Sequence, residues 1–118
     1  MPRTLYGIKQ CDTVRRARKD LDDAGVDYRF HDFRVDGLEP EQVRGWVDAV
    51  GIDTVLNRRG TTWRQLKSDV AENADETTLI DLMVEHPTLI KRPVFERDGD
   101  IRIGYASKNA HDTLNWFR

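Results

Sequence analysis

The sequence predicts an α/β domain in which a β-α-β unit and a β-β-α unit are separated by helices. Three observations carry this: an apolar run near the start that gives way at once to a helical stripe, a succession of helical stripes through the middle, and an Asp-Gly turn between two short apolar runs near the end. Thr4–Ile8 reads as a short buried strand, and Gly7 inside it signals close backbone approach. From Asp12 to Ala24, Val14, Ala17, Leu21 and Ala24 recur at spacings of three and four, with Gly25 as the stop. Val26–Val35 alternates around Tyr28, Phe30 and Phe33 and reads as a second strand ending at Asp36-Gly37. Leu38 to Val50 predicts a helix with Pro40 in its first turn, the stripe Val43, Trp46, Val47 and Val50, and Gly51 as its end. Asn57 to Thr62 is turn-like, Trp63–Asp69 makes a short helix, and Glu76 to Glu85 makes another, capped by Thr77 or Thr78. Val94–Glu96 and Ile101–Gly104 flank the hairpin turn, and Ser107 caps a last helix carrying Ala110, Leu114 and Phe117.

At 118 residues the chain has room for one domain with its own core. With 34% charged and 38% hydrophobic residues it sits among folded globular chains, not disordered ones. Neither an apolar segment behind a basic start nor a long apolar run is present, so no membrane association is expected and the expected location is the cytoplasm. A formal charge of −2 gives no general reason to expect nucleic-acid binding. The run Arg15-Arg16-Ala17-Arg18-Lys19 reads first as a solvated helix face. His31, His86 and His111 are too scattered for metal-ligand spacing, so no metal is expected.

The chemistry concentrates on Cys11, the single cysteine. It stands where a strand hands over to a helix, where N–H groups and the positive end of the helix dipole favour thiolate over thiol. The plain alternative is a small buried hydrophobe. One cysteine cannot close an internal disulfide, so redox chemistry must take its second sulfur from glutathione, a partner protein or another copy of the chain. Six residues after Cys11 lies Ala17, which excludes the Cys-x5-Arg phosphate loop. Lys9, Arg59 and Arg92 would add positive charge favouring both an ionised sulfur and an anionic co-substrate. Arg59 and Arg92 would otherwise pair with acids such as Asp32 or Glu96. Thr13 offers a hydroxyl two residues past the sulfur, or is simply a first-turn residue. Trp63 lines the mouth of the site or belongs to the core.

Four stretches carry a resemblance: Leu5 to Thr13, Tyr28 to Leu38, Leu56 to Arg64, and Ile90-Lys91-Arg92-Pro93. Together they resemble the arsenate reductase-like (ArsC/Spx) branch of the thioredoxin superfamily, most closely its small YffB-type members. The resemblance implies a thioredoxin-like core over about 1–37 and 88–118 with a helical insertion over about 38–87. It also implies that Cys11 is the nucleophile, that Arg59 and Arg92 hold an anion, and that Pro93 is the cis-proline. The third arginine of the arsenate reductase pattern falls where this chain reads Gly104-Tyr105, with Arg102 nearby. A second cysteine of the Spx pattern is replaced by Val14.

The expected function is therefore a monothiol, glutathione-dependent reductase acting on an oxidised thiol or an oxyanion, with no tightly bound cofactor. Glutathione is the expected co-substrate and glutaredoxin a candidate partner. The alternatives are an Spx-type regulator that binds RNA polymerase without catalysis, and a glutaredoxin-coupled arsenate reductase.

Overall fold

A computed structural model describes residues 2–66 and 73–118. The chain divides into two compact units, one made of the residues up to Gly37 together with Arg92–Arg118, the other of Leu38–Lys91. In the first unit the elements are β1 (Arg3–Gly7), α1 (Asp12–Asp23), β2 (Arg29–Asp32), β3 (Val94–Arg97), β4 (Asp100–Ile103) and α6 (Ala110–Phe117). Its sheet runs β2-β1-β3-β4, with β2 parallel to β1 and the other neighbours antiparallel. This is the mixed α/β architecture of thioredoxin-like proteins.

Alternation along the strands sets the core. Leu5 of β1 lies opposite Phe95 of β3, and both are buried with Ala17 and Leu21 of α1, Phe117 of α6, and Tyr105. Phe95 and Phe117 meet edge to face, with centroids 5.2 Å apart at 76°. Gly7 is the close approach its position suggests: a Cβ there would stand 2.6 Å from Cγ2 of Val14. Only a glycine lets α1 lie this near the end of β1. The last turn of α6 is held from the sheet, where Arg3 Nε donates to the Phe117 carbonyl at 2.5 Å and Arg97 donates to that of Trp116. Asp98 and Gly99 both take positive φ, 53° and 88°, as a two-residue hairpin turn requires.

The second unit contains α2 (Pro40–Val50), α3 (Ile52–Val55), α4 (Thr61–Leu66), α5 (Glu76–Glu85) and a 3₁₀ turn, Pro87–Leu89. Glu39 and Gln42 cap α2 reciprocally, with the Glu39 N–H donating to Gln42 Oε1 at 2.9 Å. Its buried side chains include Val43, Trp46 and Val47, and α2 packs on α3 and α5. Trp63 is buried and belongs to this core. A short bridge pairs Leu56 with Ile90, flanked by bonds from Asn57 N–H to the Leu89 carbonyl (2.7 Å) and from Lys91 N–H to the Val55 carbonyl (2.8 Å).

Several expectations need correction. The second strand is shorter than Val26–Val35, because the Asp36 carboxylate takes the Asp32 N–H at 2.9 Å and turns the chain. The cap of α5 is Asp75, not Thr77 or Thr78; its carboxylate accepts from Thr78 N–H, which lowers its pKa. The last helix starts after Asn109, so Ser107 lies in the preceding turn and is not its cap. The helix expected over Trp63–Asp69 is present as Thr61–Leu66, and its remainder lies outside the described residues. The basic run on α1 meets local partners: Arg15 pairs with Asp12 and Lys19 with Asp23, while Arg16 and Arg18 lie over the rings of Tyr105 and Phe30. No helix among the described residues is long and apolar enough to cross a membrane.

Candidate active site

Cys11 is the N-cap of α1, with φ −73° and ψ 125°, and is partly exposed. Its backbone is fixed on both sides, since its N–H donates to the Ile8 carbonyl at 3.0 Å and its carbonyl accepts from Arg15 N–H at 2.9 Å. The loop before it is pinned by the buried Asp32, whose carboxylate accepts from the N–H groups of Lys9 (3.0 Å) and Arg34 (2.8 Å). Arg92 reaches the sulfur from the segment entering β3. The Arg92–Pro93 bond is cis, and the Pro93 carbonyl accepts from Gly104 N–H at 2.9 Å.

Partial burial raises the Cys11 pKa, but hydrogen bonding from the Val14 backbone, then the hydrogen bond and charge of Arg92, then the Thr13 backbone, outweigh it. The net direction is down, toward thiolate. The Val14 and Thr13 amides are the N–H groups at the start of α1 that act on the sulfur. The second and third residues of α1 thus present N–H groups whose influence is on the ionised form.

The predicted site residues do not all act through the expected atoms. Thr13 bears on the sulfur through its backbone and not its hydroxyl. Lys9 is exposed, and its described contribution is the backbone bond to Asp32 rather than charge at the sulfur. Arg92 and Pro93 lie in the same unit as Cys11, whereas Arg59 is carried by the second unit, on the turn before α4. Glu96, offered as an arginine partner, accepts from the Tyr6 hydroxyl at 2.8 Å. Arg102 lies 4.7 Å over the Trp116 ring, and Tyr105 donates its hydroxyl to Asp20 at 2.6 Å. Val14 was not foreseen as a site residue. Its signal was available once Cys11 is placed at the N-cap, because the third helical N–H faces that position. Among the described residues no group of three or more His, Cys, Asp or Glu is placed to hold a metal ion.

A β2-β1-β3-β4 sheet, a cysteine capping the first helix and an arginine before a cis-proline at β3 together define a thioredoxin-like protein with a thiol site. The chain belongs to the ArsC family, which it matches over residues 6–113. An uncharacterized protein of Haemophilus influenzae is 44% identical over 105 residues, covering 89% of this chain and 92% of that one. The solved structure of a YffB protein has a TM-score of 0.86 at 42% identity, covering 95% of this chain and 98% of the other. The global transcriptional regulator Spx of Lactiplantibacillus plantarum is 22% identical over 103 residues, 86% of this chain and 77% of that protein.

Proposed function

We propose that the protein is a monothiol reductase of the arsenate reductase-like type that uses glutathione. The observation that carries this reading is the Arg92 guanidinium beside the Cys11 sulfur, acting with the Val14 and Thr13 amides to lower the thiol pKa. On a glutathionylated substrate, the Cys11 thiolate attacks the glutathione sulfur; the substrate leaves as its thiolate and Cys11 becomes a mixed disulfide with glutathione. A second glutathione thiolate attacks that sulfur, Cys11 leaves as thiolate, and oxidised glutathione is released. The net exchange consumes one free glutathione thiol: the substrate sulfur leaves as thiolate, and its former glutathione departs joined to the incoming one as the disulfide. Arg92 holds the reacting sulfur ionised, while Lys9, Thr13 and Pro93, which belong to the same unit as Cys11, are assigned to the surface that receives the substrate.

The test is alkylation of Cys11 across pH, together with intact mass after exposure to oxidised glutathione. A reactive thiolate below the ordinary thiol range and one glutathione adduct, absent in Cys11→Ser, support the reading. A midpoint no lower than about 8.5, that of an unperturbed thiol, with no adduct, defeats it. The likeness to Spx favours a second reading, a binding protein for RNA polymerase. Recovery of polymerase by the chain, unchanged in Cys11→Ser, would favour that one. Arsenate-dependent turnover with glutathione and glutaredoxin would instead place the protein among the arsenate reductases.

A further inference from the structure

Asp32 and Thr113 are the buried polar side chains among the described residues, and of the two only Asp32, 6% exposed, carries a charge. A buried carboxylate is costly unless its oxygens are bonded. Both of them are, since Oδ2 accepts from Lys9 N–H at 3.0 Å and Oδ1 from Arg34 N–H at 2.8 Å. These partners are amides, not the guanidiniums that its place in the sequence suggested. Two amide donors facing two oxygens call for an acid: an asparagine would satisfy one N–H and set its own NH2 against the other.

Parallel pairing brings the carboxylate to the loop before Cys11. Gly7 and Asp32 are register partners and the last residues of β1 and β2, and Phe33 N–H donates to the Gly7 carbonyl at 2.9 Å. The two strands therefore end side by side, and the Asp32 side chain reaches the chain two residues beyond Gly7. That chain, Ile8-Lys9-Gln10, delivers Cys11. The other bonds described on it are local: Cys11 N–H to the Ile8 carbonyl inside the loop, and Arg15 Nη2 to the Gln10 carbonyl at 3.1 Å from the helix it enters. Asp32 is the tie from a neighbouring strand. It is braced in turn, its N–H donating to the Asp36 carboxylate at 2.9 Å and its carbonyl accepting from Asp36 N–H at 2.8 Å.

We propose that Asp32 is a positioning residue for the thiol, its carboxylate holding the Lys9 N–H so that the loop delivers Cys11 to the start of α1 in reactive register. The proposal rests on Cys11 being the reacting group of the proposed function. By charge alone a nearby carboxylate opposes ionisation of a thiol. Holding the loop favours it, by keeping the sulfur before the Val14 and Thr13 amides and the Arg92 guanidinium. Asp12, next in sequence, is paired with Arg15. The two roles of Asp32 have opposite signs, so removing its charge separates them.

The experiment follows alkylation of Cys11 across pH in Asp32→Asn, with urea denaturation to confirm folding, and amide hydrogen exchange of the unaltered chain. The alkylation midpoint should rise toward that of a free thiol, about 8.5, and reactivity at neutral pH should fall several-fold. The Lys9 amide should exchange slowly in the unaltered protein. Asp36→Ala removes the brace and leaves the buried acid in place, so it should raise the midpoint by less; it serves as well where Asp32→Asn does not fold. A midpoint of about 8.5 in the unaltered protein defeats the thiolate reading and this proposal with it. A depressed midpoint that folded Asp32→Asn leaves unchanged or lowers further, or a Lys9 amide that exchanges as fast as an exposed one, overturns this proposal alone.

Discussion

At Cys11, burial pushes the thiol up while two helix amides and Arg92 pull it down, and the pull is the stronger. Arg92→Gln keeps a donor but removes the charge, so the alkylation midpoint of Cys11 should move up toward that of a free thiol. Reactivity at neutral pH should fall with it; a pH profile identical to that of the unaltered protein would contradict the assignment. The same depressed pKa affects stability. Below the folded pKa both states hold the proton and the contribution vanishes; between the folded and unfolded pKa values only the unfolded state holds it, so stability rises with pH. Relative to Cys11→Ser, the urea midpoint should therefore rise with pH and level off above about 8.5. Cys11 and Arg92 were legible in the sequence because their side chains do the work. Thr13 was half legible, and Val14 only through its place as third residue of the helix, because both act through amides whose direction is set by the helix.

Between β1 and α1, the missing Cβ of Gly7 is what lets Val14 close in. Gly7→Ala should cost about 1–3 kcal/mol through forced displacement of the helix. Combined with Val14→Ala, which makes room for the new methyl, the loss should be smaller than the sum of the two by about 0.5–3 kcal/mol. Urea denaturation of the four proteins measures both, and strict additivity would show that the contact does not set the spacing. The close approach was readable from one glycine in an apolar run. Helix starts were less so: the segment Asp75-Glu76-Thr77-Thr78 offers several capping side chains, and only the extended backbone of Asp75 (φ −73°, ψ 172°) selects among them. The end of β2 was missed for a similar reason, since the side chain of Asp36 competes for an N–H that strand alternation alone assigns to the sheet.

Along the chain, the first unit is interrupted by residues 38–91. The order of elements was legible from periodicity and turn residues. The resemblance implies an insertion ending at about residue 87; the second unit runs to Lys91, and residues 89–91 make backbone bonds to Val55 and Asn57 that no side-chain pattern announces. Phe117, fully buried near the far end of the chain, closes the core of the first unit against Phe95. Phe117→Ala should cost about 3–5 kcal/mol, a large share of the roughly 5–15 kcal/mol that holds a domain folded. A urea midpoint lowered by less than 1 kcal/mol equivalent would mean that α6 is not part of that core. A chain ending after residue 91 should carry a Cys11 of ordinary reactivity, which alkylation of the shortened protein would test.

Because β1 finds its antiparallel neighbour only in β3, a ribosome delivers the sulfur long before the guanidinium that ionises it. Full activation of the thiolate therefore waits on the pairing of β1 with β3, since the amides of α1 supply only part of it.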